Sequence, residues 1–133
     1  MGYESKLYFK DRNNTDIATI DLCKMGYEFP KGDFYELFNK EYEYGLYVDM
    51  ACTPLSDEDK KYYPNYEYVP DIRVHEDSYG AKLKYCYAED LYEWCKKNRK
   101  EMDYRRVDLL YKMTKELSKR DKWGEVKVVF FGY

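Results

Sequence analysis

Apolar and polar residues alternate in two short runs along "KLYFKDRNNTDIATIDL". Leu7 and Phe9 share one strand face, "DRNNT" supplies turn formers, and Ile17 to Leu22 alternate as a return strand. An N-terminal hairpin is predicted. The period then lengthens in "GDFYELFNKEY" (32–42), where Phe34, Leu37 and Phe38 stand at helical spacing behind Asp33 as a cap, predicting a short helix. "YGLYVDMAC" (44–52) reads as a third strand. In "DIRVHEDSYGAKLKYCY", Ile72 and Val74 form one arm of a second hairpin and "EDSYG" its turn. On the other arm Leu83, Tyr85 and Tyr87 alternate with Lys82, Lys84 and Cys86.

Two helices follow. "AEDLYEWCKKNRK" carries acidic residues in its first turn and basic ones in its last, as the helix dipole favours, with Leu91, Trp94 and Cys95 as its apolar stripe. "DYRRVDLLYKMTKELSKR" places Val107, Leu110, Tyr111, Thr114 and Leu117 on one face. "KWGEVKVVFFGY" closes as a strand. The expected fold class is therefore α+β: one domain, residues 1–133, with an antiparallel sheet of about five to six strands built from hairpins, and the two C-terminal helices and one short helix packed on one face. Between the third strand and the second hairpin, "TPLSDEDKKYYPNYEYVP" (53–70) is a long excursion. Ser56 and Asp59 stand at capping-box spacing for one helical turn, and Pro64 and Pro70 limit regular structure.

Composition narrows the function classes. With 44% hydrophobic and 37% charged residues the chain lies far from the disordered regime. The longest apolar run, "VVFF" (128–131), is far short of a membrane span, and the first residues lack a basic-then-apolar leader. The expectation is a cytoplasmic protein without membrane contact. Cys23, Cys52, Cys86 and Cys95 include no C-x-x-C pair, and His75 is the single histidine, so no metal and no cofactor is expected and the thiols read as free. No phosphate-loop, dinucleotide-binding or nucleophile-elbow motif occurs. His75 alternates out of phase with Ile72 and Val74 and so reads as a solvent-facing strand residue rather than a catalytic base. No catalytic residue is assigned, and the chain reads as more in keeping with a binding protein than an enzyme.

Charge and tyrosine give the two candidate surfaces. Residues 1–70 hold 8 basic and 14 acidic side chains, whereas Lys96 to Lys122 hold 11 basic and 5 acidic ones. Lys96, Lys97, Arg99, Lys100, Arg105 and Arg106 cluster at the junction of the two helices, a candidate phosphate or nucleic-acid contact weighed against an ordinary solvated face. Of the 18 tyrosines, Tyr8, Tyr47, Tyr85 and Tyr87 are accounted for by strands. Tyr62, Tyr63, Tyr66 and Tyr68 fall in the proline-bounded excursion, where they are candidate partner-binding residues or a satellite core.

The opening "MGYESKLYFK" resembles that of small uncharacterised proteins encoded by phages and prophages of low-GC bacteria, and the Lys-, Tyr- and Asp-rich composition is similar. The resemblance covers about ten residues and transfers no residue roles. It implies a setting in which single-domain proteins bind host machinery, including inhibitors of defence systems such as CRISPR nucleases. The expected function is thus a non-catalytic protein-binding module, a phage-type accessory protein inhibiting a host defence complex, with a protein or nucleoprotein partner. A nucleic-acid or nucleotide-binding module using the basic helices is the alternative, and a small hydrolase or nuclease without a recognisable motif stands third. A homodimer formed through an exposed "EVKVVFF" edge is a further open arrangement.

Overall fold

A computed structural model describes residues 5–22, 32–47, 57–61, 64–65, 73–98 and 104–132, with the backbone alone at 32, 47, 58–59 and 104–106. In chain order the elements are β1 (Ser5–Lys10), β2 (Asp16–Asp21), a 3-10 helix (Gly32–Leu37), β3 (Lys40–Glu41), β4 (Leu46–Tyr47), α1 (Asp57–Lys60) and β5 (Arg73–Val74). Then come β6 (Lys84–Tyr87), α2 (Ala88–Asn98), α3 (Tyr104–Leu117), α4 (Arg120–Trp123) and β7 (Lys127–Gly132).

The fold is α+β. An antiparallel five-stranded sheet has the order β2-β1-β7-β6-β3, and β4 pairs with β5 in a separate two-stranded sheet. The first hairpin forms as its sequence predicts: the Asp11 carboxylate accepts the N–H groups of Asn13 at 2.8 Å and Thr15 at 3.0 Å, while Asn14 takes φ 61°, a left-handed geometry that Asn tolerates. The C-terminal strand lies between β1 and β6, so it offers no free edge and the sheet-extended dimer through it is closed off. Among the described residues, the edges of the large sheet are β2 and β3.

Both faces of the central strands are covered, which explains the unbroken apolar run in β7. On one face Leu7, Phe9, Cys86 and Val128 meet Leu91, Trp94 and Cys95 of α2, Val107, Leu110 and Leu117 of α3, and Phe34 of the 3-10 helix. On the other, Tyr8, Val129 and Phe131 meet Tyr42, Leu46, Val74 and Leu83. The buried Thr114 in α3 satisfies its hydroxyl on the carbonyls of Leu110 (2.9 Å) and Tyr111 (3.1 Å), so a polar residue sits in the core at little cost.

Four expectations change. The segment read as a second hairpin closes its turn, with Asp77 Oδ1 accepting the N–H groups of Tyr79 and Ala81 and a bridge joining Glu76 to Lys82. Its arms then part, however, β5 to β4 and β6 to β3 and β7. The short helix over 32–42 is a 3-10 helix ending at Leu37, and Asp33 lies within it, accepting the indole N–H of Trp94 at 2.8 Å instead of capping. The last helix stops at Leu117 and restarts as α4, which ends at Gly124 with φ 70°. His75 is half-buried rather than solvent-facing, and its carbonyl accepts the Leu83 N–H at 3.3 Å. Among the described residues no helix is long and apolar enough to cross a membrane.

Candidate binding surface

Strand alternation assembles a row of aromatic rings on the sheet face away from α2 and α3. In β6, Tyr85 and Tyr87 share that face. The register sets Tyr87 opposite Lys127 and Tyr85 opposite both Val129 and Lys40. Tyr42, two residues after Lys40, comes to the same side. Ring centroids then run from Tyr44 to Tyr42 at 5.8 Å, Tyr42 to Tyr85 at 6.0 Å and Tyr85 to Tyr87 at 5.6 Å, the last two edge-to-face. Such spacings lie in the favourable range for aromatic pairs.

Cations are threaded through this row. Lys127 Nζ lies 5.1 Å from the Tyr85 ring, 5.2 Å from Tyr44 and 6.0 Å from Tyr42, so three phenol rings surround one ammonium. Lys40 Nζ and Arg120 Cζ lie 5.3 and 5.4 Å from the Tyr87 ring. All are within the reach of a cation–π attraction. Carboxylates balance them. Arg120 Nε donates to Glu89 at 2.6 Å and its Nη1 lies 3.8 Å from Glu125, which is itself 4.0 Å from Lys127. Glu41 and Glu43 complete a pocket of about 270 Å³ with Tyr42, Tyr44, Tyr85 and Lys127.

Two of the phenols, Tyr42 and Tyr85, hold their protons beyond the ordinary range. Burial, reinforced by the negative charge of Asp16, pushes Tyr42 up to about 12, and its hydroxyl donates to Asn14 Oδ1 at 3.1 Å. A hydrogen bond with Tyr87, then burial, raises Tyr85 to about 12. The row therefore offers ring faces and, at Tyr42 and Tyr85, neutral hydroxyls, with Tyr44 half-exposed at its open end.

Nucleophilic chemistry has little purchase on what is described. Burial raises both the Cys86 and Cys95 thiols, Cys95 to about 12, so neither forms a thiolate near neutrality. Both are free, as expected, and Cys23 and Cys52 lie outside the described residues. Among the described residues no group of three or more His, Cys, Asp or Glu side chains is placed to hold a metal ion.

The surfaces chosen from sequence fare differently. Tyr62, Tyr63, Tyr66 and Tyr68 lie outside the described residues, as do Arg99 and Lys100, and Arg105 and Arg106 fall in the first turn of α3 with side chains outside the description. Lys96 and Lys97 are exposed on the last turn of α2. Lys97 lines a cleft of about 470 Å³ with Lys40, Asp33, Glu36, Asp90 and Glu93, so its immediate field is acidic. The tyrosine row itself is not legible from sequence, where Tyr85 and Tyr87 read as sheet residues and Tyr42 and Tyr44 as a helix end and a strand start. The available signal was the matching period of two in "EYEY" (41–44) and "KYCY" (84–87).

No family model matches the chain, and neither a curated protein nor a solved structure matches it.

Proposed function

We propose that this chain is a non-catalytic protein-binding module whose contact surface is the row Tyr44–Tyr42–Tyr85–Tyr87 with Lys127 held among its rings. The carrying observation is that three of these tyrosines surround the Lys127 ammonium at 5.1 to 6.0 Å while Tyr44 opens to solvent. Tyrosine suits such a role: it gives large contact area, few rotors to freeze and a hydroxyl content in either wet or dry surroundings. Charge separates this reading from nucleic-acid binding. Aromatic rings interleaved with cations are also what single-strand binders use, but here Glu41, Glu43, Glu89 and Glu125 match Lys40, Arg120 and Lys127, so a phosphate chain gains little. The narrower reading, a phage-type accessory protein that inhibits a host defence complex such as a CRISPR nuclease, draws on the N-terminal resemblance and sets where to look for the partner.

The test is affinity capture from bacterial lysate with and without nuclease, using the wild-type chain and a Tyr44→Ser/Tyr87→Ser variant whose folding is checked by circular dichroism. A defined protein retained after nuclease and lost with the variant supports the reading. A partner set that vanishes with nuclease, or that the folded variant captures equally well, overturns it.

A further inference from the structure

A second recess lies away from the tyrosine row, where the 3-10 helix meets the 77–81 turn and the end of β7. Tyr35, Phe38, Ala81 and Phe130 wall a slot of about 220 Å³, with Lys82, Lys84 and Asp77 completing it. The rings fix its shape: Phe130 receives Tyr35 edge-to-face at 5.6 Å and Phe38 at 5.3 Å, and the register sets Lys84 directly opposite Phe130. Phe130 remains half-buried and Tyr35 is 43% exposed, so the slot opens to solvent between apolar walls.

Of its three charged lining residues, the two that are exposed are lysines. Asp77 is 8% exposed and its Oδ1 is taken by the Tyr79 and Ala81 N–H groups at 2.9 and 3.0 Å, so it serves the turn. Lys82 reaches Glu41 only at 3.7 Å, with both side chains more than half exposed. Lys84 is exposed and has no ion-pair partner among the described residues. The size is also informative, being below the roughly 300 Å³ at which small-molecule and cofactor sites begin. One side chain fits it.

We infer that this slot receives a large apolar side chain from an acidic segment of a protein partner, the ring or branched end entering between Tyr35, Phe38 and Phe130 and neighbouring carboxylates meeting Lys82 and Lys84. The arrangement is that of an interface anchor, an apolar group in a pocket with a charged rim that sets orientation. The inference shares with the proposed function the idea of a protein partner but uses different residues, and its test needs no partner, so each can fail alone.

The experiment is an amide chemical-shift titration of the isotope-labelled chain with the blocked peptide acetyl-Glu-Glu-Phe-Glu-Glu-amide. Two controls carry Ala in place of Phe, or Lys in place of every Glu. The expected result is saturable shifts confined to amides around Tyr35, Ala81, Lys84 and Phe130, at least tenfold weaker for both controls. The surface variant Lys82→Gln/Lys84→Gln, which leaves the walls intact, should weaken the Phe peptide about as much. Absent or dispersed shifts, equal response to the Ala control, equal response to the Lys control, or indifference to the double substitution would each overturn the inference.

Discussion

Lys10 and Lys127 stand directly opposite each other across the β1–β7 ladder. Like charges so placed repel, and each ammonium is relieved differently. Lys127 lies among the rings of Tyr42, Tyr44 and Tyr85, whereas Lys10, only 3% exposed, is ion-paired with Asp16 of the neighbouring strand. The proposed binding surface and the first hairpin thus meet at one cross-strand pair. Asp16→Asn leaves a buried ammonium without its anion and should cost about 2–3 kcal/mol in urea denaturation, below the value for a fully buried pair because Asp16 is half exposed. Lys10→Met/Asp16→Asn, which removes charge from both partners, should recover most of that loss. If Asp16→Asn unfolds at the wild-type midpoint, the pair has no role in stability.

Two glycines with nearly the same backbone angle should respond differently to the same substitution. Gly45 has φ +77°, and a Cβ there would lie 2.5 Å from the Arg73 side chain and 2.9 Å from the Val74 carbonyl oxygen. Gly80 has φ +81° but its Cβ would meet nothing closer than Glu76 at 3.9 Å. Gly80→Ala should therefore cost only the left-handed strain, about 1 kcal/mol, and Gly45→Ala at least twice that, because the β4–β5 pair must also move. Equal midpoints in thermal unfolding would show that the close approach at Gly45 relaxes freely.

The sequence made the large sheet and its helices readable where one period held over several residues, as in Leu7 and Phe9 or the Leu91, Trp94 and Cys95 stripe. It misled where a local signal was correct and its partner was distant. The Asp77 turn is legible in "EDSYG", but nothing local says that Val74 leaves for Leu46 while Lys84 goes to Phe130. Asp33 looks like a cap, and what decides its role is Trp94, 61 positions away. The tyrosine row is the same problem at the level of function. Four rings from two segments become one surface only through the β3–β6 register, while the tyrosines at 62–68 stand out in the sequence only because they are close together there.

The break between α3 and α4 supplies a prediction in acid. The Glu116 carboxyl is held below its ordinary 4.5 by the Trp123 indole N–H at 3.4 Å, and further by the ammonium groups of Lys122 and Lys119. A depressed folded value means that the charged carboxylate contributes stability fully above 4.5 and loses it as pH falls through the lower folded value. Glu116→Gln keeps an acceptor for the indole but removes the charge. It should melt below wild type at neutral pH, with the gap closing in acid. A gap of constant size across that range would mean that the charge is not what stabilises the corner.

The phenols of the proposed binding surface make the corresponding prediction in alkali. Tyr42 and Tyr85 are raised from the ordinary 10.0 to about 12, so in the unfolded chain they ionise first and the folded state holds their protons longer. Their contribution to stability is complete below pH 10 and is lost as pH rises through about 12. Phenolate ultraviolet absorbance should show a late phase near the upper value. Tyr42→Phe and Tyr85→Phe should each remove one tyrosine equivalent from it while keeping the rings around Lys127. Because Phe retains the ring face, these variants also separate the two things tyrosine supplies to a partner. If binding survives Tyr85→Phe but not Tyr85→Ser, the partner reads the ring; if Phe abolishes it, the hydroxyl carries the contact.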